Sequence, residues 1–145
     1  MLTPSQIHAL IPHSDTMALI DRVVSWDADM IVCESVYPTP LTHPLSIEGT
    51  LSLFCLAEYG AQAMAIHGAV TSGDAQKEGY LVALRDVIPH VAKLPSASAM
   101  PLSITATMLY RDASSSSYRF SVCAGGTTLL EGQAVVVVKN TEIGA

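Results

Sequence analysis

Apolar residues are arranged along this chain in two patterns that predict different elements. One long stretch, from about Gly49 to Gly68, is rich in Leu, Ala and Met and has no proline. It is apolar nearly all round, which predicts a buried helix. Shorter apolar runs bounded by Pro, Gly, Asp or Ser predict β-strands. The predicted strands are Met17–Trp26, Met30–Tyr37, Tyr80–Val91, Leu102–Tyr110, Tyr118–Ala124 and Thr128–Lys139.

Three local signals complete this outline. The residues "TPSQ", Thr3 to Gln6, have the form of a capping box with proline at the first helical position, and they predict a short helix to about Leu10. The pair Gly125-Gly126 predicts a hairpin turn between the last two strands. The stretch "RDASSSS" closes the hairpin before it, and we expect its serine run to be a loose turn.

The order of the elements indicates a fold class. A strand pair, one long buried helix and four strands with hairpin-type links predict an α+β fold, in which a mostly antiparallel sheet wraps around the helix. No internal repeat or linker interrupts residues 1–145. This length suits a single domain with one core.

Composition narrows the class of protein. Half of the residues are hydrophobic and only 14% are charged, where about a quarter is usual. The chain is therefore not disordered, and we expect part of its apolar surface to meet another subunit. The net charge is −6 with 7 basic residues, which argues against a nucleic-acid partner. The most apolar window, Leu51–Val70, includes Ser52, Glu58 and Gln62, so it is a poor membrane span.

The cysteines and the N-terminus favour a cytoplasmic protein. Cys33, Cys55 and Cys123 are odd in number and far apart, so we interpret them as reduced, buried thiols without a metal or redox role. The opening "MLTPSQIHAL" has neither a positive start nor a long apolar run, and it predicts no secretory signal.

Glu58 is the main candidate for chemistry. It lies in the middle of the apolar helix, where an isolated ionised carboxylate is costly, so it must be paired, solvated by a pocket or protonated. A protonated glutamic acid in an apolar cleft is a suitable proton donor. A structural ion pair with one of the few arginines is the alternative. Gln62 follows one helical turn later and is placed to orient a neighbour.

Four segments in order resemble the hotdog-fold β-hydroxyacyl-thioester dehydratases over nearly the whole chain. They are "IPHSDTMALIDRV", "AEYGAQ", "GYLVALRDV" and "GGTTLLEGQAVVVV". The similarity is greatest to the branch found in aryl-polyene and related polyketide-like clusters. In that branch a Gly-x-Leu-Pro precedes the glutamate motif, and Gly49-Thr50-Leu51-Ser52 stands here in that register, with Ser52 in place of the proline.

The resemblance implies a set of site residues. Glu58 is the catalytic carboxyl group, and Pro12 and His13 line the mouth of the acyl pocket. His43 stands in "LTHPLS", where the fatty-acid dehydratases carry a loop histidine between glycines that are absent here. We therefore rank His13 first and His43 second as the partner of Glu58, and which group is acid and which is base stays open.

The other predicted site residues surround the substrate. Elimination of water from a 3-hydroxyacyl thioester needs a base for the C2 proton and an acid for the C3 hydroxyl. It also needs donors for the thioester oxygen, and backbone N–H groups at the start of a buried helix supply them. For substrate binding we predict Gly49, Thr50, Ser52, Leu53 and Gln62.

The predicted substrate is a 3-hydroxyacyl thioester of acyl carrier protein or coenzyme A, and the product is the trans-2-enoyl thioester of fatty-acid or polyketide-like biosynthesis. The resemblance implies no tightly bound cofactor and no metal. It implies a homodimer or higher homo-oligomer with the site between protomers, or a heterodimer with a related subunit. Nucleic acid and membrane are not expected partners.

Three alternatives stay open at the level of sequence. A hotdog thioesterase also uses a helix carboxylate, but to activate water. A catalytically weak subunit would bind acyl carriers and complete a dehydratase heterodimer. A structural oligomer would have no pocket.

Overall fold

The computed structural model describes residues 6, 18–72, 78–95 and 97–139. Within these residues one long helix, α1 (Leu56–Ser72), follows a 3₁₀ turn at Leu53–Cys55. The strands are β1 (Arg22–Trp26), β2 (Met30–Ser35), β3 (Glu78–Pro89), β4 (Leu102–Arg111), β5 (Ser115–Ala124) and β6 (Thr127–Lys139). The predicted helix before Leu10 lies outside the described residues except for Gln6, which is helical.

The six strands form one sheet in the order β1-β2-β4-β5-β6-β3. Every neighbouring pair is antiparallel. The predicted α+β architecture, a single long helix with an antiparallel sheet, is therefore confirmed. β1 and β3 are the two edges, so the strand that follows the helix stands at one edge of the sheet.

The side chains of the sheet alternate between a buried face and an open face, as expected of half-buried strands. The core lies between the buried face and α1. Inward-facing residues of the central strands include Ile31, Cys33, Leu102, Ile104, Ala106, Tyr118, Phe120, Val122, Leu130 and Ala134. The helix contributes Leu56, Ala63, Met64 and Ile66 from its buried side.

Three predictions about local structure were wrong. The helix does not begin near Gly49, because residues 47–50 form a tight turn, and it continues past Gly68 to Ser72. The serine run is not a loose turn. The turn is made by Asp112, whose Oδ1 accepts from the backbone N–H of Ser114 and of Ser115 at 2.8 and 2.9 Å, and the strand begins at Ser115.

Two further observations bear on earlier expectations. Cys33 is buried, Cys55 and Cys123 are half-buried, and all three are unbridged. In the part of the chain that the structure describes, no helix has the length and apolarity needed to cross a membrane.

Candidate active site

The start of α1 is shaped by residues that the sequence singled out. Ser52 caps the 3₁₀ turn: its Oγ accepts from the backbone N–H of Phe54 at 3.2 Å, and its carbonyl accepts from Cys55 at 3.0 Å. Serine is a favourable N-cap residue because its hydroxyl satisfies an otherwise unpaired helical N–H. Leu53, the first residue of the turn, is buried in the core. Ser52 therefore has a structural role as a cap. The proline of the related motif has no side-chain hydroxyl and could not accept this hydrogen bond.

Gly49 and Thr50 belong to a tight turn just before this cap. Ile47 and Thr50 exchange two backbone hydrogen bonds of 2.9 and 3.0 Å. The intervening Glu48 and Gly49 have φ of 52° and 76°, the left-handed region that glycine adopts readily. Because the N–H of Thr50 donates to Ile47, it is already used within the turn. The binding role predicted for Gly49 and Thr50 stays a prediction.

Glu58 was predicted in the middle of the helix, and this was wrong: it lies in the first turn of α1, because the helix begins at Leu56, and it is half-buried. Gln62, four residues later, is completely buried, and its Nε2 donates to Oε1 of Glu58 at 3.2 Å. The other end of the same carboxamide accepts from the backbone N–H of Leu19 at 2.8 Å. The spacing of four on a helix brings Glu58 and Gln62 together, as expected. Gln62 thus links Glu58 on α1 to the backbone of Leu19, which lies shortly before β1.

His43 is held in the loop before α1 by contacts to both ring nitrogens. Its Nδ1 accepts from the backbone N–H of Leu45 at 3.0 Å, and its Nε2 lies 2.9 Å from Oη of Tyr59. An accepting Nδ1 carries no proton, so the neutral ring carries its proton on Nε2 and donates it to Tyr59. Burial lowers the pKa of His43, which favours this neutral form.

Tyr59 is a residue of the site that sequence reasoning missed as a functional candidate. It directly follows Glu58 in the quoted segment "AEYGAQ", and it is almost fully buried. Burial raises the pKa of its phenol, and the neighbouring Cys55 and Asp21 raise it further. The phenol therefore stays protonated and acts as a hydrogen-bonding group. Its contact with His43 ties the loop to the helix turn that carries Glu58.

Asp21 and Arg22 stand at the start of β1, and each contacts a different group on the segment of β2. Arg22 forms a salt bridge with Glu34 on the neighbouring strand β2. Asp21 instead accepts from the backbone N–H of Val36 through Oδ2 at 2.6 Å. Both side chains thus fasten the β1–β2 pair, which leads from the segment containing His13 into the sheet.

Pro12 and His13 lie outside the described residues. In the described part, Gln62 contacts Glu58 and His43 contacts Tyr59, and both contacts lie on the first turns of α1. Which histidine partners Glu58 stays a prediction.

Thiol chemistry is not supported at this site. Cys55 lies one turn before Tyr59, and burial raises its pKa to about 11. A thiol with that pKa is protonated at neutral pH, whereas a nucleophilic cysteine acts as the thiolate. Cys55 is therefore a packing residue.

A separate cleft of about 320 Å³ lies on β3, β5 and β6. Asp86, Arg119, Glu131 and Gln133 line it, together with Ile88 and Gly132. This mixed-charge lining is unlike the apolar walls that ligand pockets usually present. None of the predicted site residues that the structure describes lines this cleft, so we do not include it in the candidate site.

Comparisons with known proteins identify a family and a fold for the chain. The profile of the family described as ApeP-like, ApeP dehydratase, matches residues 5–144. No curated protein sequence matches the chain. The structure is similar to the dehydratase heterocomplex ApeI:P from Xenorhabdus doucetiae, with 21% identity, coverage of 97% of this chain and 94% of that chain, and a TM-score of 0.81.

Two thioesterases are also structurally similar. Thioesterase HI1161 from Haemophilus influenzae is 12% identical, with coverage of 97% of this chain and 92% of that chain and a TM-score of 0.68. Zebra fish thioesterase superfamily member 2 is 17% identical, with coverage of 96% and 100% and a TM-score of 0.65. At these identities the matches establish the fold, and they confirm the predicted hotdog class.

Proposed function

The chain belongs to the ApeP-like dehydratase family, and from this premise we propose that it removes water from a 3-hydroxyacyl thioester to give the trans-2-enoyl thioester. The observation that carries the proposal is the half-buried Glu58, held at the start of the central helix by a fully buried glutamine. A carboxyl group at the edge of an apolar core, fixed by a hydrogen-bond donor, is a suitable proton-transfer group.

We assign Glu58 the proton transfer to the leaving C3 hydroxyl. The base removes the C2 proton, the C2–H electrons form the new double bond, and the hydroxyl departs as water with the proton of Glu58. His13 is the first choice for the base. His43 has its Nδ1 lone pair committed to Leu45 and its Nε2 proton to Tyr59. This arrangement supports His43 as a positioning residue.

The proposed substrate is carried by acyl carrier protein or by coenzyme A, in a fatty-acid or polyketide-like pathway. A thioesterase is the second candidate, because two similar structures are thioesterases. Both reactions use a carboxyl group at this helix. They differ in their products, since only the dehydratase forms an enoyl group and only the thioesterase releases a thiol.

The decisive assay offers the purified protein the same 3-hydroxyacyl group on coenzyme A and on acyl carrier protein. Enoyl absorbance and free thiol are followed together. We expect enoyl formation without thiol release. The variant Glu58→Gln should lose about 10²–10⁴ in rate, since glutamine keeps the size and polarity but cannot transfer a proton.

Glu131→Gln is the matched control, because Glu131 is a partly exposed carboxylate on β6 beside His90. It should keep the wild-type rate. Thiol release by the wild type would favour the thioesterase. A folded Glu58→Gln within a few-fold of the wild-type rate would show that Glu58 is not catalytic.

We further propose that the working form is an assembly with a second copy or with a related subunit. The segment that carries His43 presents three large apolar side chains to solvent. Leu41, Ile47 and Phe54 are 84%, 77% and 57% exposed. Such exposure is typical of a surface that a partner covers. The similar ApeI:P structure is a heterocomplex, which supports a related subunit as one partner.

A further inference from the structure

The loop at residues 39–50, between β2 and the cap of α1, is held together by hydrogen bonds within itself. The backbone bonds run from Thr42 and His43 to Thr39, from Ser46 to His43, and both ways between Ile47 and Thr50, at 2.9–3.1 Å. The Oγ of Ser46 donates to the carbonyl of Pro40. None of the residues of this loop is fully buried. Compact surface loops that are closed by their own contacts are frequently functional.

This loop, which we call the lid, is attached to the core and to α1 by the side chains of two residues. Leu45 is partly buried and packs against the core. The Nε2–H of His43 donates to Oη of Tyr59 at 2.9 Å, and the centroids of the two rings lie 6.0 Å apart. The hydrogen bond between His43 and Tyr59 thus ties the lid to the first turn of α1.

The imidazole of His43 fits this position only in its neutral form. Its Nδ1 accepts from the backbone N–H of Leu45 at 3.0 Å. Protonation would place a second N–H at Nδ1, so that two donors would face each other in a half-buried site. The ring must then turn away from Leu45. Because Nε2 belongs to the same rigid ring, it leaves Tyr59 as well.

We propose that residues 39–50 are a lid that neutral His43 latches to α1, and that protonation of His43 releases this lid as one unit. The internal hydrogen bonds of the lid do not involve the imidazole proton on Nε2, so they persist when the latch opens. Release uncovers Tyr59, which is almost fully buried when the lid is closed, in the helical turn that also carries Glu58. The latch therefore controls how open the candidate site is.

The direction of the pH response follows from burial. Burial under the closed lid lowers the pKa of His43 below its ordinary value of 6.5. The open lid binds the proton more readily, so the lid opens as the pH falls from 6.5 towards the pKa of the closed form. Burial raises the pKa of the phenols and of the thiol in this region, so they stay uncharged in acid. The titratable groups on the elements around the latch are those of Glu48 on the lid, Cys55, Glu58 and Tyr59 at the start of α1, Asp21 before β1 and Tyr37 after β2.

The first test follows wild type by NMR from about pH 7.5 to about pH 5. The Cε1–H shift of His43 reports its protonation, and a nuclear Overhauser effect between the rings of His43 and Tyr59 reports the closed lid. Amide protection at Ser46 and Thr50, corrected for the intrinsic effect of pH on exchange, reports the integrity of the lid. We expect the Overhauser effect to disappear as His43 titrates, while both amides stay protected. An Overhauser effect that survives protonation would overturn the proposal. Simultaneous loss of amide protection would also overturn it, because the loop would then unfold rather than move as a lid.

The second test removes the latch from the helix side. Tyr59→Phe keeps the ring but loses the hydroxyl, so we expect an open lid already at about pH 7.5 and a pKa of His43 that rises towards 6.5. A lid that stays closed without the hydroxyl would leave that pKa unchanged or lower it, and this result would overturn the proposal. Tyr37→Phe is the matched control, because it removes a phenol hydroxyl that donates to Pro95 instead of contacting the lid. It should keep the wild-type Overhauser effect and the wild-type pKa of His43.

The third test removes the titration and keeps the latch. In His43→Gln the new carboxamide can donate to Tyr59 but cannot take up a proton in this range, so the lid should stay closed at about pH 5. A folded His43→Gln whose lid opens in acid would show that another group controls it, and would overturn the proposal. If a variant does not fold, the titration of wild type decides alone. None of these measurements uses a thioester, so the result is independent of the proposed dehydration.

Discussion

Gly60 and Phe120 show how closely the helix approaches the sheet. A Cβ added to Gly60 would lie 2.6 Å from Cδ2 of Phe120. The ring has little room to withdraw, because a Cβ on Gly132 would lie 3.1 Å from its Cζ. Phe120 is therefore enclosed between two glycines, one on α1 and one on β6, and the absence of side chains at both positions allows the helix to pack on the ring.

We expect Gly60→Ala to destabilise the protein although alanine is the better helix former. Removal of a helical glycine stabilises by about 1 kcal/mol, whereas overpacking of a core costs about 1–3 kcal/mol. The free energy of unfolding, measured in urea, should therefore fall. Gly68→Ala in the same helix is the matched control, because a Cβ there meets no atom of the described residues within 4 Å. It should raise the free energy of unfolding, and a rise for both variants would contradict the packing argument.

The site residues differ in how far a sequence could predict them. Glu58 and Gln62 were predictable, because a spacing of four on a helix places both on one face. The pair His43 and Tyr59 was not, since the residues are sixteen positions apart and meet only through the path of the loop. Leu19 contributes its backbone, which no side-chain pattern reveals.

At the scale of elements, the boundaries of α1 depend on polar contacts that an apolar pattern does not contain. The predicted start at Gly49 fails because a turn with two positive φ values precedes the cap at Ser52. The predicted end at Gly68 fails because the helix continues to Ser72, with Oγ1 of Thr71 donating to the carbonyl of His67 at 2.6 Å. The sequence pattern thus predicts that the helix exists, whereas tertiary and capping contacts decide its ends.

The last turns of α1 are fixed by His67, a histidine near the end of the helix. The ring is buried, with Nε2 2.9 Å from the carbonyl of Asp27 and Nδ1 2.7 Å from Oη of Tyr118. The carbonyl can only accept, so Nε2 carries the proton and Nδ1 accepts from Tyr118. Arg111 donates to the same phenol at 3.3 Å. The neutral ring therefore links α1 to the β1–β2 hairpin and to β5.

This network predicts that acid weakens the fold. Burial lowers the pKa of His67 below its ordinary value of 6.5, Arg111 lowers it further, and Asp27 and Asp29 partly oppose the shift. A group whose pKa is lower in the folded protein than in the unfolded chain stabilises the fold. This stabilisation is complete at pH values above the pKa of the unfolded chain. That contribution is lost as the pH falls from 6.5 towards the folded pKa, since the unfolded chain binds the proton first. The urea midpoint of wild type should therefore drop between about pH 7.5 and pH 5.

His67→Gln isolates this contribution, because glutamine can donate to the Asp27 carbonyl but does not titrate. We expect the variant to be less stable at about pH 7.5, where the neutral network is intact in wild type, and to lose less stability on acidification. His43, which also has a burial-lowered pKa, is unchanged in both proteins, so its effect cancels in the comparison. Identical pH dependence in the two proteins would show that His67 does not sense acid.

At the scale of the whole molecule, the described strands leave two sheet edges, and an apolar surface lies on the segment that precedes α1. Among the described strands, β3 pairs only with β6 and stands at the edge of the sheet, and a sheet edge is a ready template for another chain. The exposed side chains of Leu41, Ile47 and Phe54 lie in the segment that precedes α1. Because Phe54 comes one helical turn before Glu58, a partner on this surface would also border the site.

The final prediction tests whether this surface forms an interface. Wild type, with a chain mass of 15.3 kDa, should run in light scattering as a dimer or larger, either alone or when mixed with a related dehydratase subunit. A stable interface covers about 800 Å² on each partner, and a charge in its apolar centre is strongly unfavourable. Phe54→Glu should therefore run at the mass of a monomer, and it should also lose activity.

Leu109→Glu is the matched control for this prediction. Leu109 is an apolar residue of similar exposure, 48% against 57% for Phe54, but it lies near the end of β4 rather than beside the site. This variant should assemble and react like wild type. A monomeric wild type in both conditions, or a Phe54→Glu that assembles normally, would contradict the interface. If Phe54→Glu becomes monomeric but keeps full activity, the surface is an interface that the reaction does not need, and the chain carries a complete site by itself.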